Sequence, residues 1–235
     1  MPGKIKTAYP HYGQIPEVEL VPNAQEIAKR IEARLKNNLA QMPKDENEKI
    51  LDHLWKFVGN AIINDWSQKH ICAEATELIS RALPFAEVSM ALRVPKTNTF
   101  RYVALTGFRP EVEKVLFNTT YTEEEAIGHD REPSIQIDGF LDFELAEGTA
   151  LIDDEYERQQ YNRPKMLQEE RKAFDQMKDG DYLVLYFRGV RGELLGYVEL
   201  ETPRNRKLPQ GNVLKWLEIY GMTFGMLLQS SKKYE

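Results

Sequence analysis

Cysteine is the scarcest residue that matters here: one in 235 positions. Cys72 cannot close an internal disulfide and offers no cysteine pair to a zinc ion, so disulfide-stapled secreted folds and cysteine-rich zinc modules are excluded. Histidine is sparse too, four scattered residues. No apolar run approaches the roughly 18 residues that a membrane-spanning helix needs. Basic residues are outnumbered, 31 Lys and Arg against 37 Asp and Glu, and the net charge of −6 argues against a partner whose affinity rests on neutralised phosphates. Neither nucleic acid nor membrane is therefore an expected partner. The chain also lacks a G-x-x-x-x-G-K-[ST] phosphate loop, a G-x-S-x-G elbow and an H-E-x-x-H metal helix. The opening MPGKIKTAYPHYG has early lysines but no apolar stretch behind them, so it resembles neither a secretory nor a transit signal, and a cytoplasmic location is expected.

What is present reads as α+β. Pro2, Pro10, Pro16 and Pro22 forbid a continuous helix over residues 1–22 and favour an extended arm. Asn23 then caps a helix carrying Ile27, Ile31 and Leu35 at four-residue steps, expected to reach about Asn38. Pro43 breaks the pattern. From Asp45 to Leu83 apolar residues recur at helical spacing, with Asn64, Asp65 and Gln68 as a polar interruption; this long leading helix opens the main domain, residues 45–235, after an arm-and-helix segment over 1–44.

Beyond Pro84 the period changes to two. Val88, Met90, Leu92 and Val94 alternate with Glu87, Ser89, Ala91 and Arg93, and Phe100 to Thr106 follows a PKTN turn as a hairpin partner. A short helix around Glu111–Phe117, a capping signal at Thr122–Glu125 and a strand over Phe140–Leu145 are expected next. Asp154 to Lys178 has helical composition, divided at Asn162-Arg163-Pro164. Tyr182–Arg188 and Leu194–Glu201 are the clearest strands, joined by Gly189-Val190-Arg191-Gly192, and an amphipathic helix from Gly211 to about Ser230 closes the chain.

The stretch GDYLVLYFRGVRGELLGYVELETPRNRKLPQGNVLKWLEIYGMTFGMLL, residues 180–228, resembles the ending of a GAF domain: a strand, a GELLG-type turn and strand, a proline-bearing loop and a closing helix. The resemblance implies an antiparallel sheet of five or six strands, a helical bundle on one face and a ligand pocket on the other. It further implies a regulatory sensor that signals through its leading and closing helices, with a small molecule as partner; Trp55, Phe57, Ile62 and Trp66, more apolar surface than one sheet covers, point to a homodimer paired through the helices. The cofactor is left open. The alternative reading is a ligand-free dimerisation or scaffold module, and PAS is the second candidate fold.

Residue parity places the candidate site. Leu183, Leu185 and Phe187 share one side of their strand and Gly196, Val198 and Leu200 one side of the next, which suits contact with helices. The opposite side carries Tyr182, Tyr186, Arg188, Tyr197 and Glu199, apolar walls with polar tips as a ligand pocket requires. Arg93 joins them by parity, and Phe143 and Tyr156 are the expected lid residues.

Sharper chemistries of the family find little in these letters. Asn162, Lys165, Phe174 and Asp179 only echo the cyclic-nucleotide signature, and a GAF-fold reductase of free methionine sulfoxide needs a second thiol to resolve the attack by the first. His70 and His129 are the histidines that haem would have to use. A binding role is favoured over an enzymatic one.

Overall fold

A computed structural model describes residues 24–39, 47–127, 134–146 and 155–231. The expected arm over 1–22, the Asn23 cap, the Pro43 break and His129 lie outside them.

Helix α1 (Ala24–Leu39) turns Ile31 and Leu35 into the core. The single long helix expected from Asp45 to Leu83 is two, α2 (Asn47–Ile63) and α3 (Gln68–Ala82). The polar interruption is where the chain turns: Asp65 takes a left-handed φ of 48°, and the Ser67 hydroxyl caps α3 by accepting from the His70 N–H at 3.3 Å. The break lets Phe57 of α2 meet Trp66 edge-on at 5.9 Å and Phe224 near the C-terminus at 5.6 Å.

Among the described residues the sheet has seven antiparallel strands rather than five or six: β1 (Phe85–Val94), β2 (Thr99–Thr106), β3 (Thr120–Thr122), β4 (Ser134–Gln136), β5 (Leu141–Glu144), β6 (Tyr182–Arg188) and β7 (Leu194–Pro203), in the order β3-β2-β1-β7-β6-β5-β4. The outermost pair, β3 and β4, are three-residue strands that the sequence pattern is too short to announce.

One face of this sheet is apolar. Val88, Met90, Leu141, Phe143, Leu183, Leu185, Phe187, Val198 and Leu200 all pack into the core formed with α3 and the closing helix α7 (Gly211–Ser230), while α1 and α2 pack on α7 and α3. Close approach of strands and helix depends on missing side chains. A Cβ on Gly196 would lie 2.2 Å from the Ala91 carbonyl oxygen, and one on Gly225 would lie 2.6 Å from that of Arg188.

Two register shifts decide what reaches the other face. In β2, Ala104 pairs with Met90 and Tyr102 with Ala91, leaving Val103 unopposed. Phe100 and Tyr102 consequently face away from the helical layer, whereas Ala104 joins its core and Thr106 bonds to Thr76 of α3 at 2.9 Å. In the β6–β7 hairpin, Phe187 pairs with Gly196 and Arg188 with Leu194, so Leu195 packs with the helix-side core and Leu194 with the opposite one.

That opposite face carries a second, smaller core. Phe100, Tyr102, Val184, Tyr186 and Tyr197 pack with Phe108, Val112 and Leu116 of helix α4 (Pro110–Asn118) and its lead-in. Helix α5 (Glu123–Ile127) follows a reciprocal capping box: Thr122 N–H donates to Glu125 Oε2 at 2.8 Å and Glu125 N–H to Thr122 Oγ1 at 3.2 Å.

The helix expected over Asp154–Lys178 shrinks to α6 (Glu155–Arg158) and a 3-10 turn at Pro164–Gln168. A tertiary ion pair overrides local propensity. Arg171 is buried on Asp181, reaching both carboxylate oxygens at 2.9 Å, while Asp181 also accepts from the Lys178 and Ala146 N–H groups.

Candidate functional site

The face opposite α3 and α7 collects polar side chains in cross-strand rows. Glu87 of β1 stands opposite Glu201 of β7, Glu201 opposite Tyr182 of β6, and Tyr182 opposite Glu144 of β5. The neighbouring row runs Ser89, Glu199, Val184, Asp142, and the next runs Ala91, Tyr197, Tyr186. Parity explains the composition: every second residue of these strands points here, and the residues between them form the helix-side core. Five carboxyl groups thus share one sheet face, and Glu87, Asp142 and Glu144 are buried.

Glu199 is the centre of a satisfied network. Its Oε2 accepts from Ser89 Oγ at 2.6 Å and from Tyr102 Oη at 2.7 Å. Burial pushes the Glu199 carboxyl upward, and those two hydrogen bonds pull it back. Burial likewise raises the phenols of Tyr102 and Tyr197, with the charge of Glu199 adding to the effect, so both stay protonated donors. Tyr186 is raised by burial and then by the charge of Asp142, to which its hydroxyl bonds. The aromatic walls meet edge-on, Tyr102 against Tyr121 at 6.0 Å and against Tyr197 at 6.4 Å.

Of the eight residues singled out from sequence, Tyr182, Tyr186, Tyr197 and Glu199 come together on this face. Arg93 lies at its rim, donating to Glu123 Oε2 of α5 at 2.6 Å and to the Leu194 carbonyl at 3.3 Å, and bonded also to Asn98. Arg188 is exposed in the β6–β7 hairpin, bonded to the Gly192 carbonyl at 3.3 Å, because the register shift removes it from the row. Phe143 is fully buried in the helix-side core, since its strand neighbours Asp142 and Glu144 take the other side. Tyr156 belongs to α6, and its side chain lies outside the described ones.

Sequence reading passed over Asp142, Glu144, Glu87, Glu201 and Tyr102. The first two alternate with Leu141, Phe143 and Leu145, so their parity was legible. Tyr102 was hidden by the unopposed Val103, which reverses parity within β2.

At the β1 end of the face lies Asp179, from the turn before β6, with its Oδ1 on Arg163 Nη2 at 2.8 Å. Asn162 holds the adjoining loop, accepting from the Arg109 N–H and donating to the Gly107 carbonyl, each at 2.8 Å. A cleft of ≈ 380 Å³ opens beside it between α4 and the 155–164 segment. Among the described residues, no group of three His, Cys, Asp or Glu side chains is placed to hold a metal ion, and no helix is long and apolar enough to cross a membrane. Cys72 is buried in α3, where burial pushes its thiol up to about 12.

No protein-family model matches the sequence, and no curated protein matches it either. Solved structures do. The GAF domain of an Acinetobacter phosphoenolpyruvate-protein phosphotransferase is similar at 12% identity and a TM-score of 0.48, over 76% of this chain and 92% of that one. The GAF domain of a putative sensor histidine kinase from Pseudomonas syringae pv. tomato gives 11%, 0.46, 78% and 87%. Free methionine-R-sulfoxide reductase from Neisseria meningitidis, in complex with its substrate, gives 10%, 0.47, 81% and 94%. These are likenesses of fold alone. The chain's own architecture is an antiparallel sheet with a helical layer on one face and a polar, partly covered face on the other.

Proposed function

We propose that the chain is a regulatory domain of GAF type that binds a small molecule on the sheet face opposite α3 and α7 and reports occupancy through its helices. The observation that carries this reading is the set of polar side chains in adjacent cross-strand rows, Glu87, Asp142, Glu144 and Tyr186 buried and Glu199 bonded to Ser89 and Tyr102, on a face where apolar residues would fold more cheaply. The transmitting elements are α3 and α7, which touch the back of the same strands. Binding shifts a helix arrangement only by the ligand's differential affinity for the two states. Native mass spectrometry of freshly purified protein, with a thermal-shift screen of metabolites, is the test. A bound metabolite, or one that raises Tm in wild type and loses its effect in Glu199→Gln, is expected. An empty protein that no metabolite stabilises sinks the proposal.

A second reading has its own observation. Leu51, Trp55 and Ile62 recur at helical spacing on α2 and are more than half exposed, and Met222 and Met226 are exposed on α7, which packs beside it. Such a stripe suits pairing with a second copy of the chain. Sedimentation at high micromolar concentration checks this, with dimer expected for wild type and monomer for Trp55→Glu; a monomeric wild type ends the reading. The third reading, a thiol-based reductase, loses support from Cys72, whose raised thiol is the reverse of an attacking thiolate.

A further inference from the structure

Beside the polar rows, α4 and the segment from α6 to Pro164 enclose the cleft of ≈ 380 Å³. That volume falls within the roughly 300–1,000 Å³ typical of small-molecule sites. Side chains tie its two walls together. Asn162 accepts from the Arg109 N–H and donates to the Gly107 carbonyl, each at 2.8 Å, and Tyr121 Oη donates to Gln160 Oε1 at 2.8 Å. Walls fixed in advance spare a ligand the cost of ordering them.

Charge distinguishes this cleft. Each wall carries one cation and one carboxylate: Arg109 and Glu111 at the start of α4, Arg158 and Glu155 on α6. Surface charges elsewhere find partners, as Glu26 does in Arg30, Asp52 in Lys56 and Glu169 in Arg206. These four do not. Among the described residues, none of their side chains makes a hydrogen bond, an ion pair or a ring contact. Much of the remaining lining is apolar, from Val112, Val115, Pro164 and the Tyr161 ring.

We propose that this cleft binds a small zwitterion of the α-amino acid type, its carboxylate held by Arg109 and Arg158, its ammonium by Glu111 and Glu155, and its apolar side chain by Val112, Val115 and Tyr161. Guanidinium groups match a carboxylate with paired N–H donors, and an ammonium brings three donors to acceptor-only carboxylates. A ligand of one sign fits less well, because a simple anion meets two glutamates and a simple amine meets two arginines. Val112 also belongs to the smaller core under α4, so occupancy of the cleft bears on the packing beneath that helix. This site is separate from the one proposed for the sheet face, and neither reading needs the other.

The test uses the full chain at pH 7, where both ends of an amino acid are charged. L-phenylalanine is the probe; 2-phenylethylammonium, which lacks the carboxylate, and 3-phenylpropanoate, which lacks the ammonium, are the comparisons, all titrated by calorimetry. Phenylalanine should bind at least about tenfold more tightly than either, and at about tenfold excess over its Kd should raise Tm by roughly 3–6 °C. Arg109→Gln and Arg158→Gln remove side chains that have no partner to lose, so both should fold, and each should weaken phenylalanine at least about tenfold. Glu155→Gln should narrow the gap between phenylalanine and 3-phenylpropanoate, and Arg188→Gln, in the exposed β6–β7 hairpin, should change neither. No binding of phenylalanine, equal affinities for the three compounds, or tighter binding of a singly charged one overturns the proposal, as does binding that survives both arginine substitutions. The sheet-face reading is tested apart, through Glu199→Gln, and stands under any of these results.

Discussion

Single atoms set the tightest constraints on this fold. Gly196 sits where β7 crosses Phe187 and β1, and a methyl there would press within 2.2 Å of the Ala91 carbonyl oxygen and 2.4 Å of the Phe187 ring. Neither neighbour is free to yield, one being backbone and the other fully buried. Gly196→Ala is therefore expected to destabilise by roughly 1–3 kcal/mol or more, read as a lower midpoint in urea; an unchanged midpoint would mean that β1 and β7 can separate at no cost. Arg171 is constrained by charge rather than volume. Its guanidinium is 4% exposed and its partner Asp181 fully buried, so Arg171→Ala leaves an uncompensated carboxylate and should cost about 3–5 kcal/mol in the same assay. A loss under about 1 kcal/mol would show that Asp181 takes up a proton instead, a step already near at hand because burial pushes it up to about 6.

At the scale of elements, turn chemistry outweighs periodicity. The apolar pattern from Asp45 to Leu83 continues across the break, yet Asp65 and Ser67 divide it, and only the division lets α2 fold against α3. Ser67→Ala removes the α3 cap and should lower stability by about 1 kcal/mol, whereas Ser67→Asp should retain it, both measured by thermal unfolding. Equal stability of wild type and Ser67→Ala would assign the break to Asp65 and tertiary packing alone. The strands tell a related story. Residue parity placed Tyr182, Tyr186, Tyr197 and Glu199 together from sequence because side-chain direction alternates regardless of context. The same rule fails for Tyr102 and Arg188, since one unopposed residue reverses parity, and nothing in the letters around Val103 or Leu195 marks the bulge.

Across the whole molecule, the acidic groups drawn out of water share one bias, while Asp175, hydrogen-bonded by Lys207 at the surface, is shifted the other way. Burial is the first cause in raising Glu87, Asp179, Glu199 and Glu201, and it pushes Asp181 up to about 6 and Glu218 of α7, which lies beside Asp138, up to about 7. The ordinary values are 4.5 for Glu and 3.8 for Asp. Between the ordinary and the raised value the folded chain holds a proton that the unfolded chain has released, so stability falls as pH rises through that window. Tm should consequently be higher near pH 5 than near pH 8, the opposite of the usual acid sensitivity. Glu218→Gln should flatten the decline between about pH 6 and 7, because its window reaches about 7 where that of Asp181 ends at about 6. A Tm that climbs from pH 5 to pH 8 would show that ion pairing, not burial, governs these carboxyls.

The alternation of the strands, the closing helix from Gly211 to Ser230, the capping box at Thr122 and Glu125 and the apolar helix side of β6 and β7 were all determined by the sequence alone, because each rests on contacts within a few residues or on a fixed backbone period. Tertiary structure decided the rest. It opposed Glu87 to Glu201 across residues far apart in the chain, drew Arg171 to the buried Asp181, turned Tyr102 onto the polar face and took Arg188 off it. Those outcomes depend on which strands become neighbours and on where a bulge falls, quantities fixed by the burial of the entire sheet and not by any local stretch of it.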